Sequence, residues 1–278
     1  MNPELRLRII SAIVLAVVAL GATWLGGVAF SLLAAAIALL IFYEWTTITG
    51  HSAQERFTMF GWAAMILIVG QFLWYGPEAG TMPSLALLVG FTVVCIVIAA
   101  IRGKSQWLAG GVFYAGLSGI SLAALREFGG IATIVFLFAV VWGTDILAYF
   151  VGRAIGGAKL APRISPGKTW SGAIGGTVAG VVAGCIVVWL MGEGLSIWHV
   201  LITAVLSIGS QIGDLFESYI KRRFGVKDSS HLIPGHGGVM DRVDGLVFAC
   251  FLAFLGGLAV AAASGQLATA SSELISGI

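Results

Sequence analysis

All five aspartates of this chain lie between residues 145 and 244, and the first 125 residues contain none. Asp214 opens the densest stretch, GSQIGDLFESYIKRRFGVKD at 209–228. Asp214, Glu217, Ser218 and Lys221 fall at i, i+3, i+4 and i+7, so they share one face of a helix. That face begins inside an apolar run. A carboxylate at bilayer depth costs at least ~2.5–3.5 kcal/mol, so it must face a partner, a water-filled cavity or a cation. A structural ion pair satisfies one isolated acid. Several acids and a base converging on one loop point to a site.

The loop continues PGHGGVMDRVDG at 234–245. Pro234 and Gly235 predict a turn, and Gly237 and Gly238 leave backbone N–H groups open to a phosphate. Asp241 and Asp244 sit three apart on the face of a helix that starts here. Acids at a helix N-terminus are stabilised in any case, so Asp244 reads equally as a helix cap. Asp241 pairs better with Asp214 as a Mg²⁺ site, because Mg²⁺ favours carboxylate oxygens and leaves room for phosphates. His236 either touches a phosphate or holds the loop. No Cys/His cluster supports zinc, and His51 and His199 are isolated.

A third piece runs WGTDILAYFVGRAIGGAKLAPRISPGKTWSG, residues 142–172. Asp145 lies in an apolar run with Tyr149 one turn later. Arg153, Lys159, Arg163 and Lys168 follow, and basic residues beside a membrane also bind lipid head groups. The GKT at 167–169 is not a phosphate-binding P-loop, because Pro162 stands where that motif needs glycine and no strand is expected before it. Taken together, the residues suit an anionic, phosphate-bearing substrate: carboxylates for a divalent cation, many cations, a glycine loop and a bilayer at hand.

The elements that must carry these residues are membrane helices. The 278 residues are 59% hydrophobic and 10% charged, with mean hydropathy +1.01. Soluble domains are roughly 25% charged. A helix needs about 20 apolar residues to cross the hydrocarbon core. Nine runs qualify: 8–27, 29–48, 59–76, 84–101, 107–125, 131–151, 170–191, 196–220 and 245–264. The fifth is the weakest, diluted by Gly110, Gly111, Gly116 and Gly119. The runs are continuous rather than alternating, which argues against a β-barrel. The first 30 residues do not read as a cleaved signal. Cys95, Cys185 and Cys250 read as packing residues.

The expected fold is therefore an all-α polytopic membrane protein of about nine spans. With the N-terminus in the cytoplasm, fourteen of the fifteen Lys and Arg residues fall on the cytoplasmic side and only Arg126 does not, as the positive-inside rule requires. The polar loops 152–169 and 221–244 land there together. Residues 1–125 read as scaffold and 126–278 as the working part of one membrane domain. Gly172, Gly176, Gly180 and Gly184 form a ridge at four-residue spacing, suited to close helix packing or to a dimer contact.

The run SYIKRRFGVKDSSHLIPGHGGVMDRVD, residues 218–244, resembles the signature of the phosphatidate cytidylyltransferase (CDP-diacylglycerol synthase) family. The matching positions are Ser218, Lys221, Arg222, Lys227, Asp228, Pro234, His236, Gly237, Gly238, Asp241, Arg242 and Asp244. GDLFES at 213–218 and the run from Asp145 to Arg153 are similar too, so the likeness spans about 142–248. Two positions depart from the pattern. Gly167 stands where relatives commonly have lysine, and Ser171 where they have an acid, which weakens the roles of Lys168 and Thr169.

The resemblance implies that CTP and phosphatidate give CDP-diacylglycerol and pyrophosphate, on the cytoplasmic face of a bacterial-type inner membrane. It implies Mg²⁺, as one cation or two, on Asp214 and Asp241. Asp214, Asp241, Lys221 and Asp244 would then be catalytic. Ser218, Arg222, Lys227, Asp228, His236, Gly237, Gly238, Arg242, Lys168, Thr169, Arg153 and Asp145 would bind substrate, and Glu217 would orient these groups. The partners expected are CTP, phosphatidate and membrane lipid, with a homodimer allowed and no nucleic acid. The CDP-alcohol phosphotransferases are excluded, because their D-G-x₂-A-R-x₈-G-x₃-D-x₃-D pattern is absent. An ion-coupled carrier using Asp145 and Asp214 is the alternative.

Overall fold

The computed structural model describes residues 3–52, 54–192 and 194–263. Among the described residues there are seven helices: α1 (Pro3–Leu25), α2 (Gly27–Ile48), α3 (Arg56–Ile101), α4 (Trp107–Ile155), α5 (Trp170–Leu190), α6 (Ile197–Arg223) and α7 (Met240–Ala263). All seven are long and apolar enough to cross a membrane, so the chain is an integral membrane protein. Residue 264, the end of the last predicted span, and the rest of 264–278 lie outside the described residues.

Seven helices stand where nine spans were expected, because α3 and α4 each cover two predicted spans. They are 46 and 49 residues long, and each contains one non-helical residue, Gly76 (φ 73°, ψ 161°) and Gly130 (φ 68°, ψ −169°). Only glycine adopts such angles without strain. Pro77 follows Gly76 at a first helical position, which has no N–H to lose. The chain folds back there. Ser84 Oγ donates to Ile68 O at 3.5 Å, and Gly80 packs on the backbone of Phe72. In a straight helix, residues sixteen apart would lie about 24 Å from one another.

The two arms of α4 serve different neighbours. The first arm packs on α2, where Gly110 and Gly111 admit the Trp45 ring and Gly119 meets Ala38. The glycines that dilute the fifth predicted span are thus the seats of large side chains. Trp45 Nε1 donates to Trp107 O at 2.7 Å, which fixes the ring. The core of this half is apolar: Phe42, Trp45, Phe72, Leu108 and Ile120 are fully buried. Glycines seat large side chains in this half because interiors pack to crystal-like density.

The second arm packs on α5. The glycine ridge of α5 is buried, Gly172 and Gly176 against Ala148 and Gly180 and Gly184 against α6. The ridge is an internal packing surface. In the space left by Gly180, Thr144 and Ser207 join their hydroxyls at 2.7 Å between α4 and α6. The expected polar loop 152–169 is not irregular throughout. It holds an antiparallel hairpin, β1 (Lys159–Ala161) with β2 (Ser165–Thr169). The all-α class holds, with this small hairpin added to it: Gly156 caps α4, Gly156 and Gly157 take positive φ, and the polar run turns back on itself.

Candidate active site

Three regions of the chain bring the predicted residues together. The second arm of α4 supplies Asp145 and Arg153. The hairpin and the start of α5 supply Lys168 and Thr169. The C-terminal half of α6, the loop after it and the first turn of α7 supply the rest. Two cavities meet at Asp145 and Asp214, which line both.

The first cavity, of about 520 Å³, lies between α4, the hairpin, α5 and α6. Asp145, Arg153, Lys168, Thr169 and Asp214 face it, as does Gln211. Lys168 pairs with Asp214, so the hairpin is tied to α6 by charge. Arg222 adds a backbone tie, Nε to Ile164 O at 3.4 Å. Thr169 has a second duty. It is the N-cap of α5, and its Oγ1 accepts from Gly172 N–H at 3.1 Å. Ser171, where relatives commonly carry an acid, bonds Thr169 and Gly156 O instead.

The second cavity, of about 380 Å³, is polar and bounded by α6, α7 and the 224–239 loop. Glu217, Ser218 and Lys221 line it with Asp214, so the helix face predicted from spacing is formed. Arg222, Lys227, Asp228, Asp241, Arg242 and Asp244 complete the wall. Lys221 Nζ contacts Asp241 Oδ1 at 2.5 Å and Glu217 Oε1 at 3.3 Å. Glu217 is 1% exposed and also faces Asp244. Lys227 and Arg242 have no ion-pair partner among the described residues.

Thirteen of the sixteen predicted site residues therefore line the joined cavities, and three do not: His236, Gly237 and Gly238. His236 Nδ1 lies 2.7 Å from Ser11 Oγ, which also donates to Pro234 O. His236 ties the loop to α1. Gly238 N–H donates to Asp241 Oδ2 at 2.8 Å and is closed to a phosphate. Its missing side chain makes room for Glu44 and Ser229, not for substrate. The helix-cap reading of Asp244 is replaced as well. Its Oδ1 accepts from the N–H of Gly245 at 2.8 Å, and its carboxyl also bonds Glu217.

The carboxylates differ in what they offer Mg²⁺. Asp214 fits: its carboxylate is one-third exposed and faces both cavities. Asp145 stands beside it. Asp241 offers less. Its Oδ2 accepts from Ser229 N–H, Ser229 Oγ and Gly238 N–H, and its Oδ1 holds Lys221. Only one lone pair on Oδ1 stays open. Among the described residues, no three His, Cys, Asp or Glu side chains form a ready-made cage. That suits an ion held by one or two carboxylates and completed by substrate phosphates.

The residue missed from the sequence is Glu44 of α2. It is fully buried, and both of its oxygens are bonded to the 229–240 segment. A signal existed, since Glu44 interrupts the apolar run LLIFYEW, and an ionisable residue within a span is a functional candidate by default.

Comparison with known proteins shows the family of the chain. A family model described as "Cytidylyltransferase family" matches residues 6–258. A phosphatidate cytidylyltransferase of Brucella abortus is 51% identical over 257 residues, covering 91% of this chain and 93% of its own. Those of Pseudomonas aeruginosa and Haemophilus influenzae are 35% and 34% identical, each over 88% of this chain and 94% and 96% of their own. With a match that runs through nearly every helix and both cavities, the chain belongs to the cytidylyltransferase family.

Proposed function

We propose that this protein is a phosphatidate cytidylyltransferase, transferring the cytidylyl group of CTP to phosphatidate with release of pyrophosphate. The observation that carries the reading is the pair of cavities joined at Asp145 and Asp214, with acids at the junction and cations around the walls. Such a site can draw two polyanions together. The phosphatidate phosphate is already an anion, so it needs positioning more than a general base.

The residues divide the work by place. Lys168, Arg153 and Lys159 border the first cavity and bind nucleotide phosphates there. Lys227, Arg222 and Arg242 border the second and receive the lipid phosphate. Lys221 lies between Glu217 and Asp241, ready to turn from a carboxylate to a phosphate oxygen. Asp214 and Asp241 would hold Mg²⁺, with Asp145 and Asp244 near enough to serve a second cation. The metal, when bound, neutralises charge on the transferred phosphoryl group and on the leaving pyrophosphate.

In the bilayer, the breaks at Gly76 and Gly130 divide α3 and α4 into two crossings each, which makes nine. An N-terminus in the cytoplasm then puts the site at the cytoplasmic face of the inner membrane, on the side with fourteen of the fifteen Lys and Arg residues. Residues 1–125 act as scaffold and 126–278 as the catalytic part. A homodimer would use a face other than the α5 ridge, which is consumed internally. The carrier alternative gains no support from the relatives.

The test uses the full chain in detergent with phosphatidate, labelled CTP and Mg²⁺. Lipid-soluble cytidine label and pyrophosphate should appear in equal amounts. Full turnover after complete removal of divalent ions would reject the metal assignment. A cysteine introduced at residue 235 should resist labelling from the periplasmic side.

A further inference from the structure

We propose that Glu44, in the scaffold half, is a positioning residue for the transfer reaction. It holds the first turn of α7 and the Ser229–Ser230 segment, and through Ser229 it sets Asp241 against Lys221. This inference rests on the cytidylyl-transfer reading.

The argument starts from α7. The N–H groups of Arg242 and Val243 both bond Val239 O, so Val239 occupies the cap position. A valine side chain has no oxygen to offer the free N–H groups of a first turn. Glu44 supplies the missing acceptor from another helix. Its Oε1 accepts from Val239 N–H at 2.8 Å and its Oε2 from Met240 N–H at 2.7 Å. Ser230 Oγ donates to Oε1 at 2.6 Å, and Ser229 Oγ lies 3.1 Å from Oε2, its one proton shared between Glu44 and Asp241 Oδ2. No ion pair with lysine or arginine involves Glu44 among the described residues. Its charge is met by three neutral donors, a share of the Ser229 hydroxyl proton and the positive end of a helix.

The connection then runs on. Ser229 donates from its N–H at 2.9 Å and its Oγ at 2.8 Å to Asp241 Oδ2, and Asp241 Oδ1 contacts Lys221 at 2.5 Å. A single buried carboxylate thus fixes the height of α7, the path of the loop and, two contacts further, a cation on the cavity wall. Gly238 reports the tightness of the arrangement, since a Cβ there would strike both Ser229 Oγ and the Glu44 carboxylate.

The experiment replaces Glu44→Gln in the full chain purified in detergent. An amide of the same shape turns an NH₂ group towards donors that need an acceptor. The expected result is a kcat about tenfold to a hundredfold lower, as for groups that orient ligands at one remove. KM for CTP should change little, because Glu44 touches neither cavity. Hydrogen exchange across 229–241 should quicken while that of α6 stays as it was. Wild-type kcat, or unchanged exchange across 229–241, overturns the proposal.

Should Glu44→Gln fail to fold, Ser229→Ala cuts the link between Glu44 and Asp241 and leaves the Val239 and Met240 bonds in place. Its kcat should fall with the melting temperature retained, and full activity refutes the relay. Where both variants fold, the double variant should lose less than the sum of the single losses, and strict additivity would sink the connection. A wild-type protein that makes no CDP-diacylglycerol refutes the transfer reading itself, and the exchange measurement still decides whether Glu44 anchors the loop.

Discussion

The two halves of this molecule use glycine and charge in opposite ways. In α2, α3 and the first arm of α4, glycines mostly seat side chains such as Trp45, Leu88 and Ala38, and the interior is largely aromatic and aliphatic, with Glu44 and hydroxyls such as Ser118 and Ser121 buried in it. In the second arm of α4, with α5, α6 and α7, glycines bring backbones and hydroxyls together: Gly176 on Thr144 O, Gly180 on Thr144 and Ser207, Gly213 on Asp244 O. Close backbones leave little side-chain bulk between these helices. The space beside them is then free for carboxylates and cations, which a cavity between bulky helices would not admit. A scaffold is built by filling, and a site by spacing.

The largest expected effect tests the spaced half. Asp214→Asn keeps the volume and removes the charge where the two cavities meet. Turnover should fall by about 10²–10³, the scale for loss of one preorganised electrostatic group. Expression and melting temperature should be retained, because Asp214 is partly exposed and pairs only with Lys168 and, weakly, Ser218. Formation of labelled CDP-diacylglycerol is the measurement. Near-normal activity would remove Asp214 from the mechanism and dissolve the contrast between the halves.

Gly238→Ala comes next, at the seam. If Gly238 is bare so that substrate can approach, the variant should lose binding and keep its stability. The structure places Glu44 and Ser229 there instead. The variant should therefore be destabilised by about 1–3 kcal/mol, as for overpacking, and lose kcat with it. A thermal melt in detergent separates the two outcomes. A smaller effect belongs to Thr144→Val, which removes the buried Thr144–Ser207 bond beneath Gly180. The cost should be about 1 kcal/mol. A greater one would mean that the α4–α6 contact rests on that bond more than on the glycine spacing.

The apolar helices were legible because apolar length is a local property: the nine runs map onto the seven described helices, two each onto α3 and α4. What the sequence hid was whether Gly76 and Gly130 separate helices or bend one. The cavity walls were legible where spacing on one helix decides, as for Asp214, Glu217, Ser218 and Lys221. They were legible too where a long motif matched, as for Lys227, Asp228 and Arg242. The PGHGG loop misled for a physical reason. Adjacent glycines announce that something approaches the backbone, but not what, and here Gly238 admits a carboxylate from α2. Glu44 lies 185 to 196 residues from the groups it bonds, a separation at which no periodicity can link them. The hairpin at 159–169 was missed because strands of three and five residues are too short to show alternation.

The smallest predicted effect sharpens the comparison inside the scaffold half itself. Glu55 and Glu44 stand eleven residues apart on neighbouring segments, and both are carboxylates with a partner distant in sequence. Glu55 pairs with Lys104 at 3.2 Å, with the two side chains 46% and 41% exposed. Water solvates both charges whether or not they meet, so Glu55→Gln should cost under ~1 kcal/mol, as exposed pairs do. Its kcat should match the wild type. Glu44→Gln alters the same functional group by the same atom in a place where water cannot replace what is lost. If the two variants lowered kcat equally, the effect would belong to removing any acid from this half, and burial against α7 would have nothing to do with it. A wide gap between them ties the effect to Glu44, whose carboxylate bonds the signature loop.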